Sequence, residues 1–345
     1  MTLKKTSLND IALKLGVSKT LVSLVLNGKA RENRISEELI GKVEQVAREL
    51  NYKPNQMARG LRLGKSHTLG LIVADISNQF FGRISRAIED EAERHGYTMI
   101  FCSSDEAPQR LEKQIAILRD KQVDGLIITP TEGSEAMIKQ LQEDHFPFVL
   151  LDRYISGLST PSVTIDNYKA AFQGVSHLFS QGYKKVAYIN YALELAHFSD
   201  RLHGYTEAHL AQDMIMNPDL VCKVPFIGLE DAMEAVIQQL LDKEVPDAIF
   251  FANGRIGLVG LQALLKLNVK IPDDLGIVSF DDNETFGLSY VPVSCIAQPI
   301  DNIGRKAFTL LYDLINSESI LKKEQSIKLD GELILRKSSL KHIMD

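Results

Sequence analysis

Three aspartates stand where the chain leaves an apolar run: Asp75 after residues 69–73, Asp152 after 148–151 and Asp281 after 276–280. Asn253 follows the run 248–252 in the same way, and Asn78, Phe80 and Phe81 come just behind Asp75. Carboxylates and amides form paired hydrogen bonds with vicinal hydroxyls, and an aromatic face covers the apolar side of a ring. Such a set suits a sugar or another small polar metabolite. Plainer roles remain open for two members, since Phe81 fits a core and Asp75 a helix cap. A second set lies near the N-terminus. Ser18, Lys19, Thr20, Ser23, Leu24 and Asn27 are spaced to share one short helix, whose polar face suits contact with a nucleic-acid groove.

The elements that position the second set are helices. Leu8, Ile11, Ala12 and Leu15 recur at helical spacing, Gly16 permits a reversal, and Ser18 caps a following helix whose Leu21, Val22 and Val25 face inward. Ser36-Glu37-Glu38 opens a third helix with an apolar stripe of Ile40, Val43, Val46, Ala47 and Leu50. From residue 67 the pattern changes to short apolar runs at 69–73, 98–102, 125–129, 148–151, 185–190, 248–252 and 276–280. Amphipathic helices are expected between them, over 81–95, 108–121, 132–142, 169–181, 200–210, 230–242 and 257–267. Apolar strands alternating with helices imply parallel sheets covered on both faces, with ligands beyond the strands' carboxyl ends.

The helix pair, the Asn51-Tyr52-Lys53-Pro54-Asn55 junction and the segment Ala58-Arg59-Gly60-Leu61 stand in an order and spacing that resemble the lac repressor family of transcription regulators. The resemblance implies an α/β protein with a small helical DNA-binding headpiece (1–54), a hinge helix and linker (55–66) and a two-lobed sensor like periplasmic sugar-binding proteins (67–345). Its first lobe is expected over about 67–164 and 294–324, its second over about 165–293 and 325–340. The resemblance adds Asn55, Ala58 and Leu61 to the DNA-contacting set, with Leu61 as a wedge between base steps. It also makes the Arg201-Leu202-His203-Gly204-Tyr205 run a helix start that brings Arg201 into the effector pocket. Two departures stand out: Asn253-Gly254 replaces a common Asn-Asp, and Leu24 stands where many relatives have arginine. Leucine cannot make arginine's bidentate contact to guanine.

Charge divides the chain in the same place. The first 65 residues carry a net charge of +7 and the remainder −13, so a basic end suited to phosphates precedes an acidic body. The chain is expected to be a cytoplasmic homodimer that reads near-palindromic operator DNA, a repressor controlled by a small-molecule effector such as a sugar. A transport solute-binding module fits poorly with the basic end and with Lys4-Lys5 leading into an amphipathic helix rather than a signal peptide. An enzyme would need a recognisable site. The sequence has no phosphate loop, no His-Glu-x-x-His and no Gly-x-Ser-x-Gly, and Cys102, Cys222 and Cys295 are scattered without metal spacing. No cofactor, metal or membrane partner is therefore expected.

Overall fold

The structure is a computed structural model that describes residues 6–52, 65–316 and 325–341. Asn55, Ala58 and Leu61 lie outside the described residues. The chain divides into two compact units, Met1–Ser66 and His67–Asp345.

The first unit is built on α1 (Leu8–Leu15), α2 (Lys19–Leu26) and α3 (Glu37–Glu49). Ser7 and Asp10 form a reciprocal capping box at α1, and Ser18 and Ser36 cap α2 and α3. Gly16 takes φ +65° between α1 and α2, a left-handed conformation that favours glycine. Ile11, Val22, Val25, Val43 and Val46 meet in one small core.

The second unit carries two six-stranded sheets. The first half of its chain runs β1 (Thr68–Val73), α4 (Gln79–Arg94), β2 (Thr98–Ser103), α5 (Pro108–Asp120), β3 (Gly125–Ile128), α6 (Glu135–Glu143), β4 (Phe148–Leu151) and β5 (Ser162–Ile165). The second runs α7 (Asn167–Ser180), β6 (Val186–Tyr191), α8 (Ala196–Leu210), β7 (Val221–Val224), α9 (Leu229–Gln239), β8 (Ala248–Phe251), α10 (Gly254–Lys266), β9 (Gly276–Phe280), α11 (Glu284–Leu288) and β10 (Ser294–Ala297). Helix α12 (Ile300–Asn316) and strands β11 (Ser326–Leu329) and β12 (Glu332–Ile334) follow. One sheet has the order β11-β5-β4-β3-β1-β2 and the other β12-β10-β9-β8-β6-β7; every pairing is parallel except β10 with β12. Strands β3, β4, β8 and β9 are buried throughout, as parallel strands covered on both faces must be.

The expected lobe boundaries need correction at their C-terminal ends. Residues 294–297 were assigned to the first lobe, yet β10 extends the second sheet, pairing Ser294 with Val278 and Ile296 with Phe280. Residues 326–329 were assigned to the second lobe, yet β11 lies beside β5 in register from Ser162–Ser326 to Ile165–Leu329. The chain therefore passes between lobes three times: after β5, after β10 and after β11. Between the last two passages α12 returns to the first lobe, where Phe308 packs on His95 at the end of α4. Three crossings make a hinge of separate strands, which allows the lobes to rotate while each sheet stays intact.

Candidate functional site

On α2, Ser18, Lys19 and Thr20 are exposed, while Ser23, Leu24 and Asn27 are half-buried on the same face. The Ser18 hydroxyl accepts from Leu21 N at 3.1 Å, so the cap itself aims the start of the helix outward. Asn27 Nδ2 donates to Ser23 O at 2.6 Å and to Ser23 Oγ at 3.2 Å. Leu24 is absent from the apolar core formed by its neighbours Val22 and Val25. Among the described residues, the outward face of α2 thus presents an ammonium, hydroxyls and one apolar tip.

In the second unit, parallel strands place every strand-to-helix turn of a lobe at the same edge of its sheet. The first lobe brings there Asp75 after β1, Glu106 after β2, Thr129 and Thr131 after β3, and Asp152-Arg153 after β4. The second contributes Asn190 and Tyr191 from β6, Asn253 after β8 and Asp281 after β9, with His197 and Arg201 from the first half of α8. The two edges face one another across direct links. Tyr154 Oη donates to both carboxylate oxygens of Asp200 at 3.1 and 3.0 Å, and Arg255 Nη1 lies 3.6 Å from Asp75 Oδ2.

Arg201 is 2% exposed. Its Nε donates to Asn167 Oδ1 at 2.8 Å, its Nη1 donates to Ala252 O at 2.6 Å, and its guanidinium carbon sits 3.5 Å from the Phe280 ring centroid. The close packing of α8 on α7 sets its direction, because a Cβ at Gly204 would collide with Tyr168 O. Asp281, at φ +65°, accepts from Gln298 Nε2 at 2.7 Å and from Gly254 N at 3.0 Å. Asp152, at φ +68°, has its carboxylate near the charges of Arg153, Arg201, Asp281 and Glu106. Burial outweighs the two guanidiniums and pushes its pKa up to about 6. Burial, with Arg153 and Arg201 nearby, holds the His197 pKa well below its usual value, so that imidazole is neutral.

Six buried polar atoms at this edge have no hydrogen-bond partner among the described residues: Thr129 Oγ1, Thr131 Oγ1, Arg153 Nε, Asn190 Oδ1, Tyr191 Oη and His197 Nδ1. A buried polar atom without a partner costs about 1–3 kcal/mol, so its presence calls for a functional reason. Donors and acceptors lying together at the strand ends of both lobes match a small polar ligand with several hydroxyls.

The structure gathers Asp152, Arg201 and Asp281 as the sequence suggested and gives other expected residues local tasks. Asp75 Oδ1 accepts from Ser77 N and Oγ in a tight turn, while Oδ2 faces Arg255. Asn78 and Asn253 cap α4 and α10, accepting from Phe80 N and Arg255 N. Phe80 is half-buried, whereas Phe81 is 4% exposed and belongs to the first-lobe core, because it lies on the inward face of α4 with Ile84 and Ile88. Glu106, Asn190, Tyr191, His197 and Arg255 were not anticipated. Asn190 and Tyr191 end an apolar run as Asp152 follows one, so the same strand-end argument reaches them.

Residues 7–55 match the bacterial regulatory proteins, lacI family, and residues 66–330 match the periplasmic binding proteins and sugar binding domain of LacI family. The chain belongs to the LacI family. It is a DNA-binding transcriptional regulator with a sensor domain of sugar-binding type, not an enzyme. It is 31% identical over 338 residues to the HTH-type transcriptional regulator KdgR of Bacillus subtilis, covering 96% of this chain and 97% of that one. A complex of the transcriptional regulator CelR with cellobiose is 25% identical with a TM-score of 0.72, covering 97% of this chain and all of that one (100%). The lac repressor dimer bound to operator and the anti-inducer ONPF shares the fold, with a TM-score of 0.84 at 23% identity over 98% of this chain and 100% of the other. Among the described residues of this LacI-family chain, no helix is long and apolar enough to cross a membrane.

Proposed function

We propose that the protein is a homodimeric repressor that binds near-palindromic operator DNA and responds to a small polar effector, a sugar or sugar derivative, held between the two lobes. The convergence of strand-end polar groups from both sheets carries this reading. A ligand touching Asp152 on one side and Arg201 and Asp281 on the other favours the arrangement in which both sets reach it. The lobe angle then controls operator affinity. The face of α2 carrying Ser18, Lys19, Thr20, Ser23, Leu24 and Asn27 reads the groove, and Asn55, Ala58 and Leu61 engage the DNA from the adjoining segment. CelR, a structural neighbour, is described in complex with cellobiose, a polyhydroxyl ligand of the kind these side chains suit.

The test has two stages. A thermal-shift screen of sugars and other polar metabolites identifies the effector, because a ligand that prefers the folded state raises the melting temperature. Operator duplexes selected from a random pool are then titrated with protein, with and without that compound. Operator affinity that changes with effector, and falls as salt rises, supports the reading. An effector that binds without altering operator affinity would refute it.

A further inference from the structure

Glu106 takes both Nη groups of Arg153, which changes what the cleft can accept. Arg153 Nη1 donates to Glu106 Oε2 at 2.8 Å and Nη2 donates to Oε1 at 2.5 Å, while Nη1 also donates to Pro130 O at 3.1 Å. Both side chains are buried, at 6% and 8% exposure. A guanidinium so paired has given its fork to a carboxylate of the protein. The loop after β2 is shaped for the purpose: Asp105 and Glu106 are consecutive left-handed residues, at φ +51° and +56°, which turns the glutamate inward. Asp105 is held by an ion pair to Arg110 and by its N–H to Ala74 O at 2.7 Å.

The second cation is committed as well. Arg201 donates to Asn167 and Ala252 O and lies on Phe280. Two buried guanidiniums, Arg153 and Arg201, therefore stand among three buried carboxylates: Glu106, Asp152 and Asp281. His197 adds no positive charge. Arg255, at the rim, faces Asp75 and Glu230. Among the described residues, Asp152 alone of the three carboxylates has neither a bidentate guanidinium nor a backbone donor, and Arg153 Nε lies 3.6 Å from its Oδ2. Its oxygens can accept from a ligand, and an anion brought beside them meets like charge in a water-poor site.

We propose that Glu106, acting through Arg153, sets the charge class of the effector: the cleft takes uncharged polyhydroxylated compounds and rejects their phosphorylated and carboxylated forms. This rests on the reading of the cleft as the effector site and goes beyond it by assigning a specificity role to a residue that does not itself offer the ligand a donor. Glu106 is a positioning residue whose effect is read in ligand selectivity.

The experiment titrates the full chain, by calorimetry, with matched pairs: D-glucose with glucose 6-phosphate and glucuronate, D-ribose with ribose 5-phosphate, and adenosine with adenosine monophosphate. In the wild type, whichever neutral parent binds should do so at least tenfold more tightly than its anionic partners. Glu106→Gln, which frees the fork and removes one negative charge, should shrink that ratio by at least tenfold, while Glu106→Asp should keep it. An anion that binds the wild type as well as its parent overturns the proposal, even if Glu106→Gln does not fold. An unchanged ratio in a folded Glu106→Gln also overturns it. If only adenosine binds, and its monophosphate does not, the charge rule stands and the effector is a nucleoside, a sugar derivative, and not a free sugar. If no neutral probe binds, both fall.

Discussion

Tyr154 and Asp200 join the two lobes directly, the phenol of the first donating to both carboxylate oxygens of the second. Burial and the adjacent Asp200 charge push the Tyr154 pKa up to about 12, so the hydroxyl keeps its proton across the working range. With Arg255 facing Asp75 and Glu132 accepting from Glu194 N, it is among the links that hold the two lobe edges together independently of what lies between them. Tyr154→Phe removes one link and little packing. Effector affinity should fall roughly three- to tenfold, in line with a charge-assisted hydrogen bond at a partly exposed site, and stability by less than about 1 kcal/mol. Calorimetry and a thermal melt on the same variant check this. An unchanged effector affinity means the link contributes nothing to closure.

Arg201 tests the cleft from the other side, with a complication the sequence did not reveal. The sequence reading makes Arg201→Ala a simple loss of response. The structure shows a buried guanidinium that ties α7 to the end of β8 and offsets Asp152 and Asp281. Its removal leaves uncompensated buried charge, at a cost of about 3–5 kcal/mol. Arg201→Lys keeps the charge but not the planar stacking on Phe280. The lysine variant should remain folded, bind operator near normally and lose at least tenfold in effector response, measured by anisotropy on labelled operator. A full response at unchanged effector concentration would remove Arg201 from the site.

The parts legible in the sequence were those whose local pattern matched their tertiary role. Asp152 and Asp281 each end an apolar run, and the parallel sheet turns that position into a shared edge. Strands β5, β10 and β11 were harder to read, because each interleaves polar residues and is held by its ladder neighbour rather than by a strong apolar pattern of its own. Pairing of β10 with β9, set by tertiary context, overrode the expected lobe boundary. Phe81 and Asn78 illustrate the opposite case, since a residue close to a strand end can be used up by the helix that follows. Glu106 carries no local signal at all: its neighbour Pro108 opens α5, and the acid before it reads as an ordinary helix start.

Asp152 gives a pH dependence of defined sign. Its pKa rises from 3.8 to about 6 on folding, with Arg153, Arg201, Asp281 and Glu106 as the charges that face it. The folded protein therefore holds this proton more tightly than the unfolded chain. The associated stability is fully present below pH 4 and is lost as pH climbs through 6. Asp152→Asn should flatten that slope and leave the effector-free protein up to about 3 kcal/mol more stable near pH 7.5. Effector hydroxyls donate best to the ionised carboxylate, so wild-type effector affinity should rise from pH 5 to about 7, and the asparagine variant should bind more weakly with no such rise. Urea melts and calorimetry across that range measure both; a parallel pH slope in the variant would assign the titration to another group.

Leu24 addresses the DNA end. It is half-buried on the outward face of α2 yet lies outside the core formed around Val22 and Val25. An apolar side chain there selects a thymine methyl, whereas arginine forms a bidentate pair with guanine worth about 1–3 kcal/mol of discrimination. Leu24→Arg should leave the melting temperature within about two degrees and shift the selected operator toward G·C at one position per half-site, a change within the small range of exposed substitutions. Selection from a random duplex pool with both proteins gives the answer. An unchanged base preference places Leu24 off the groove.

Gly254, where the family resemblance implies an aspartate, is packed against Asp281. A Cβ at this position would lie 2.9 Å from Asp281 Cβ and 3.3 Å from Asp281 Oδ2. The Gly254 N–H already donates to that oxygen at 3.0 Å. Asp281 therefore fills the space a side chain at 254 would need. Gly254→Ala separates size from charge: overpacking against Asp281 should cost about 1–3 kcal/mol and weaken the effector modestly. Gly254→Asp adds a like charge against a buried carboxylate and displaces Asp281 from Gln298. Effector affinity should fall at least tenfold further than in the alanine variant. Thermal melts and calorimetry at pH 7.5 read both effects. If the aspartate variant binds effector as tightly as the wild type at pH 7.5, Asp281 is not the group that the glycine makes room for.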